Sequence, residues 1–103
     1  MKVKIAYTVE LEDIPKEISE MLNNGVAAIE DAADVYKKAQ RFVSVMEDEE
    51  VADTLKDLEF IRRKLEKVDT IVGDCQSILQ GYDSALKQIK EQQQEKQDEI
   101  KDG

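Results

Sequence analysis

The sequence contains no histidine and no tryptophan, and its 103 residues include one cysteine and one proline. Without histidine, the chain lacks the commonest general base and the usual ligand of transition metals. Glycine is also scarce, and no glycine-rich phosphate-binding loop is present. The lone cysteine, Cys75, cannot form an internal disulfide, and we interpret it as a small buried hydrophobic residue in a reducing compartment. These absences predict a protein without a cofactor and argue against most enzyme classes.

Long apolar runs are missing as well. The N-terminus has no apolar segment of signal-peptide length, and nowhere do apolar residues continue for the ~18 positions that would span a bilayer. The net charge of −9 would repel both nucleic acid and anionic membranes. We therefore expect a cytoplasmic protein whose partners are other proteins, and a basic protein is an allowed partner.

An apolar residue recurs at heptad spacing from residue 51 to residue 89, which is typical of a long helix that packs against another helix. Only Thr54 is out of character in this repeat. The a positions are Val51, Leu58, Leu65, Val72, Leu79 and Leu86. The d positions are Thr54, Ile61, Val68, Cys75, Tyr82 and Ile89.

A second heptad repeat predicts a helix over residues 14–47. Its start is indicated by Asp13 as a cap and by Pro15 in the first turn. The segment Asn23-Asn24-Gly25 could stop a helix, but the unbroken phase favours one continuous helix. The a positions are Leu22, Ile29, Tyr36 and Val43, and the d positions are Ile18, Gly25, Ala32, Ala39 and Met46.

The two repeats differ in phase by one residue across the acidic segment 46–50. A slip of this kind means that the two stripes do not belong to one straight helix. We predict a tight connection and an antiparallel helical hairpin, with a single bent helix as the alternative. Apolar g positions widen both stripes, and one copy of so short a chain buries little surface, so we expect two copies to form a four-helix bundle. The predicted seam between copies is Leu22, Ile29, Tyr36, Val43, Leu58, Leu65, Val72, Leu79 and Leu86.

The predicted fold is therefore mainly α, in a single domain of residues 1–103. It comprises a β-strand over 1–11, helices over 14–47 and 49–90, and a polar, frayed tail over 91–103. The strand is indicated by apolar residues at alternate positions between Lys2 and Leu11. A single strand must find a partner for its backbone, and its symmetry mate and a sheet in another protein are the two candidates.

Charged side chains are predicted to lie mostly on solvated helix faces. Asp34 and Lys38 have the spacing of an ion pair on one helix. Arg62, Arg63 and Lys64 lie among acidic neighbours, so we interpret them as a salt-paired face rather than a phosphate-binding site.

Two short segments resemble motifs of known families. KEISEML (16–22) and AIEDAADVYKKA (28–39) are similar to the acidic motifs of all-α nucleotide pyrophosphohydrolases of the MazG type. That resemblance implies a magnesium site formed by Glu17, Glu20, Asp31 and Asp34. The opening KVKIAYTVELEDIPKEI (2–18) resembles small uncharacterised proteins of tailed bacteriophages, which implies a viral protein in the host cytoplasm.

Three functions are carried forward as hypotheses. The main one is a non-enzymatic helical protein that acts through interaction and assembly and forms a homodimer. The first alternative is an acidic inhibitor or mimic that covers a basic surface of another protein. The second alternative is a magnesium-dependent nucleotide pyrophosphohydrolase.

Overall fold

The computed structural model of this chain is a helical hairpin. It describes the backbone of residues 10–102 and the side chains of residues 10–94. A short 3-10 helix, Leu11–Asp13, leads into helix α1, Ile14–Phe42. A second 3-10 helix, Asp48–Glu50, leads into helix α2, Val51–Asp102. The prediction of a mainly helical hairpin is confirmed. The predicted strand lies outside the described residues, except for its last two positions, and Leu11 begins the first 3-10 helix.

Helix α1 begins where the sequence predicts, with Pro15 in its first turn. Asp13 occupies the N-cap position, but its side chain makes no capping hydrogen bond. Its backbone is already helical, with φ −90° and ψ −10°, because the preceding 3-10 turn is closed by the Asp13 N–H donating to the Glu10 carbonyl oxygen at 2.9 Å. The capping prediction for the Asp13 side chain is therefore wrong, although the helix start is correct.

Helix α1 runs without a break through Asn23-Asn24-Gly25, as the heptad phase predicts. Gly25 has no left-handed backbone and is buried. A Cβ atom at this position would lie 3.5 Å from Cδ1 of Ile71. This is an ordinary van der Waals distance, so the site accommodates a small residue between α1 and α2, and Gly25 lies in the packed face rather than terminating the helix.

The connection between the helices reverses the chain without glycine. Helix α1 ends at Phe42, earlier than the predicted residue 47. The physical reason is that Val43 and Val45 have low helix propensity, while the Ser44 hydroxyl donates to the Arg41 carbonyl oxygen at 3.4 Å and competes with the helix ladder. Glu47 is extended and its N–H donates to Oε1 of Glu50 at 3.4 Å, which supports the start of the next helix.

The two helices meet mainly through heptad positions d and g. The buried side chains are small or medium in size, and Cys75, at 3% exposure, is one of them, as predicted. Two ion pairs between the helices show the antiparallel register, Asp31 with Lys64 and Lys38 with Asp57, and in each pair the residue numbers add to 95. The buried residues are Ile18, Gly25, Ala28, Ala32, Ala39, Thr54, Ile61 and Cys75.

Helix α2 extends well past the beginning of α1. Ile14 lies level with residue 81 in this register, so α2 continues for about 30 Å beyond it at ~1.5 Å per residue. The described part of the chain is accordingly elongated, with a longest dimension of 83 Å. The loss of apolar positions predicts a frayed tail from residue 91, but the helix continues to Asp102. Gln, Glu and Lys are good helix formers, and extending an existing helix is far easier than nucleating a new one.

Candidate functional site, an exposed apolar face

Most large side chains at heptad position a are exposed to solvent in the single chain. Their exposed fractions range from 39% at Val51 to 62% at Tyr36. Two apolar residues at the adjacent position e, Val26 at 44% and Leu55 at 61%, are also exposed. We call these eleven residues the a-face. Its members are Leu22, Val26, Ile29, Tyr36, Val43, Val51, Leu55, Leu58, Leu65, Val72 and Leu79.

The a-face is one continuous surface, because both helices contribute to the same side of the hairpin. When antiparallel helices meet through d and g, their a positions project to one side. In the half of the hairpin near the turn, residues of both helices line one groove of ≈ 220 Å³. Its walls include Tyr36 of α1, Val43 directly after the end of α1, and Leu58 of α2. The predicted seam residues therefore lie together on this face, and of these nine only Leu86 is half-buried.

Thr54, the one polar d position noted in the sequence, forms part of the groove floor. Its side chain is buried, with 5% of its surface exposed. Its Oγ1 donates a hydrogen bond to the Glu50 carbonyl oxygen at 3.1 Å. The hydroxyl is therefore satisfied by the 3-10 helix that precedes α2, and Thr54 can be buried without the cost of an unpaired polar group.

The opposite side of the hairpin is closed by charged groups. Lys38 Nζ lies 3.5 Å from Asp57 Oδ2, and Lys64 Nζ lies 3.7 Å from Asp31 Oδ2. Lys64 Nζ also lies 5.3 Å from the centroid of the Phe60 ring, a cation–π contact. Lys38 thus pairs across the helices rather than with Asp34, the pair predicted from sequence. These contacts give the hairpin one charged side and one apolar side.

The outer surface of α2 carries the predicted salt-paired residues. Arg63 Nε lies 3.2 Å from Glu59 Oε1, and Arg62 Nη1 lies 3.9 Å from Glu59 Oε2. These pairs confirm the interpretation as a salt-paired face. An open depression of ≈ 460 Å³ here is larger than the groove, but its lining is mostly charged: Glu59, Arg62, Arg63, Leu65, Glu66 and Asp69.

The structure does not bring the two acidic motifs together within one chain. Both lie on α1, and the 14-residue offset between Glu17 and Asp31 corresponds to about 21 Å along the helix. Glu20 and Asp34 are separated in the same way, and Asp31 is paired with Lys64. Among the residues that the structure describes, no group of three or more His, Cys, Asp or Glu is placed to hold a metal ion.

Comparison with known proteins provides no relative: no family model, no curated protein and no solved structure matches the chain. Within the described residues, neither helix has a segment that is both long enough and apolar enough to cross a membrane. The interpretation of the a-face therefore depends on its own chemistry.

Proposed function

We propose that this protein is a non-enzymatic interaction and assembly protein, and that two copies pair through their a-faces to form a four-helix bundle. The single observation that carries the proposal is the exposure of the a-face on an otherwise charged molecule. Exposed apolar patches that are rimmed by polar residues mark interaction surfaces in soluble proteins.

The size of the a-face supports a stable partner. Eleven half-exposed apolar side chains offer on the order of 700 Å², near the ~800 Å² that each partner contributes to a standard interface. The largest apolar patch on a typical monomer is about 300–600 Å². Burial of this surface is favourable by about 25 cal/mol per Å², and the affinity is the surplus that remains after the loss of translational and rotational freedom and the ordering of side chains.

The spacing of the a-face supports a second copy as the occupant. In the register set by the ion pairs, Ile29 lies nearly level with Leu65, and Tyr36 lies nearly level with Leu58. Apolar layers therefore repeat every seven residues on both helices, about 10.5 Å apart. A second copy is the same chain and therefore has the same seven-residue repeat, so its side chains can enter the spaces between these layers.

The remaining surface of the dimer is proposed to contact another protein. The outer helix faces are strongly charged, and α2 extends beyond α1 as a polar helix. Neither feature is used in pairing the a-faces, so both are available to a partner. We also propose that the segment before Leu11, residues 1–10, forms a strand that pairs with a second backbone.

The proposed pairing is tested by placing charge on the a-face. Ile29→Glu combined with Leu65→Glu should weaken dimerisation by at least about 100-fold, because each carboxylate would be buried without a partner. Sedimentation equilibrium at micromolar concentration should give twice the mass of one chain for the natural protein and the mass of one chain for the variant.

The matched control is Ala27→Glu combined with Ser77→Glu. Both residues are exposed at position f, on the same two helices, and the net charge changes by the same amount. This control should dimerise like the natural protein. If the natural protein sediments as a compact monomer, or if the control and the a-face variant dissociate equally, the proposal is wrong.

A further inference from the structure

The orientation of the two copies can be inferred if the proposed dimer is correct. Two arrangements bring two a-faces together about a two-fold axis. If the axis runs along the helices, α2 packs on α1 of the second copy, and both turns lie at the same end. If the axis crosses the helices, α2 packs on α2, and the turns lie at opposite ends. The two arrangements place different residues at the rim of the interface.

The rim is formed by position e of each helix. On α2 it carries charge, with Arg62 and Asp69 separated by one heptad. Arg62 has an 84% exposed side chain, and among the residues that the structure describes its one ion pair is the 3.9 Å contact with Glu59. Asp69 is exposed and makes no ion pair with the described residues. On α1 the corresponding positions are uncharged: Ser19, Val26, Ala33 and Gln40.

The arrangement with both turns at the same end leaves these charges unpaired. Arg62 is level with Ala33 and Asp69 is level with Val26, so each charged group would lie against a small apolar residue of the second copy. The four carboxylates of Glu47–Glu50 would also gather with their copies at one end of the bundle. Like charges brought together in this way oppose association.

The arrangement with turns at opposite ends pairs the same charges. When the axis passes midway between residues 65 and 66, Arg62 of each copy faces Asp69 of the other, which gives two ion pairs. The same axis passes Ile29, close to the middle of α1, so that the two α1 helices overlap along nearly their whole length. The acidic turns are then about 50 Å apart at ~1.5 Å per residue, several times the Debye length of ~8 Å in physiological salt.

Neighbouring registers are less favourable. The heptad layers mesh again when the axis moves by half a heptad along α2. Asp69 of one copy then faces Asp69 of the other, which brings two like charges together. A further half heptad places the axis next to Val72 and brings Arg62 to Asp83. That position shortens the overlap of the two α1 helices, because α1 would be centred far from the axis.

We therefore propose that the copies dock with their turns at opposite ends, about an axis next to Leu65 and Ile29, with Arg62 of each copy paired to Asp69 of the other. One consequence concerns the predicted strand. Glu10 of the two copies would be about 60 Å apart along the bundle at ~1.5 Å per helical residue. The N-terminal segments then do not pair across the axis, and a sheet of another protein becomes the partner for each.

Disulfide trapping in a Cys75→Ala background distinguishes the two arrangements. The variant Arg62→Cys with Asp69→Cys should form a covalent dimer under mild oxidation. Positions 62 and 69 of one chain are about 10.5 Å apart, beyond the ~7 Å that a disulfide can bridge, so the bond must join two copies. The variant Arg62→Cys with Ala33→Cys reports the same-end arrangement and should stay unlinked between copies on a non-reducing gel.

The outcomes separate this inference from the dimer itself. If the variant with Ala33→Cys formed covalent dimers and the variant with Asp69→Cys did not, the copies would dock with both turns at the same end. Cross-linking of neither variant, in a sample that sediments as a dimer, would overturn the register and leave the dimer standing. A monomer by sedimentation would overturn both.

A charge exchange provides an independent measurement. Arg62→Asp and Asp69→Arg should each weaken the dimer, by about 3- to 10-fold for like charges at an exposed rim. The two changes together should restore the natural dissociation constant, because the pair is re-formed with its signs exchanged. Additive weakening in the double variant would contradict the pairing.

Discussion

Small residues decide how closely the helices of this hairpin approach. Gly25, Ala28, Ala32 and Ala39 are buried on the side of α1 that meets α2. A Cβ atom at Gly25 would make ordinary van der Waals contact with Ile71 at 3.5 Å and with Val68 at 4.0 Å. The position therefore has room for one carbon atom but not for a longer side chain.

Substitutions of glycine test this packing at single-residue scale. Gly25→Ala should raise the free energy of unfolding by about 0.5–1 kcal/mol, because alanine loses less backbone entropy in a helix. Gly25→Leu should lower it by about 1–3 kcal/mol through overpacking. Urea denaturation monitored by circular dichroism measures both changes.

Gly73 is the matched control for that measurement. It lies in α2, and a Cβ atom there would have nothing within 4 Å. Gly73→Ala and Gly73→Leu should therefore both raise stability through helix propensity alone. If Gly25→Leu proved as stable as Gly73→Leu, α2 would not pack on α1 at Gly25.

At the scale of elements, the unequal helix lengths are the main feature. Helix α1 has 29 residues and helix α2 has 52. The C-terminal part of α2 is maintained by helix-forming residues that extend an existing helix, since it lies beyond the start of α1. Such a segment contributes to helix content without contributing to the packing between α1 and α2.

Removal of residues 91–103 should therefore separate helicity from stability. We expect the helical circular dichroism signal to fall by the contribution of about twelve residues, with the melting temperature changed by no more than about 2 °C. Dimerisation should be unaffected, because the a-face ends before this segment. A large loss of melting temperature would show that the segment packs against the rest of the molecule, and an unchanged signal would show that it is not helical in solution.

At the scale of the whole molecule, apolar and charged surfaces are segregated. In the proposed dimer, the net charge of −9 would oppose association of two identical copies, while burial of the a-face would favour it. Salt screens the repulsion of the outer faces but hardly affects apolar burial. The two contributions can therefore be separated by varying ionic strength.

We expect the dimer to become tighter by about 2- to 10-fold between 20 mM and 500 mM sodium chloride, since screening of the net charge outweighs the loss of two rim ion pairs. Sedimentation at both salt concentrations measures the change. An acidic inhibitor of a basic protein would behave in the opposite way, because its complex would weaken steeply as salt is added. A homodimer that dissociated at high salt would contradict an interface driven by apolar burial.

Heptad periodicity by itself determined the two helices, their antiparallel hairpin and the burial of Cys75. It also selected the residues of the a-face, since nine of the eleven occupy position a. The repeat could not determine which of its two apolar positions closes the hairpin, because a and d are equally apolar along most of the chain. The unused signal was side-chain size, since the d positions Gly25, Ala32 and Ala39 are small and Ile29 and Tyr36 at a are large.

Only the tertiary structure decided that d and g meet inside the hairpin while a faces outward. The physical reason is that close approach of two helix backbones requires small residues on the contacting side, and α1 provides them at d and g. The same selection leaves its bulky a residues for a second surface. Periodicity also did not determine where the helices end. The end of α1 depends on the Ser44 hydroxyl, which competes with the backbone hydrogen bonds of the helix, and the end of α2 depends on propagation of the helix after residue 90.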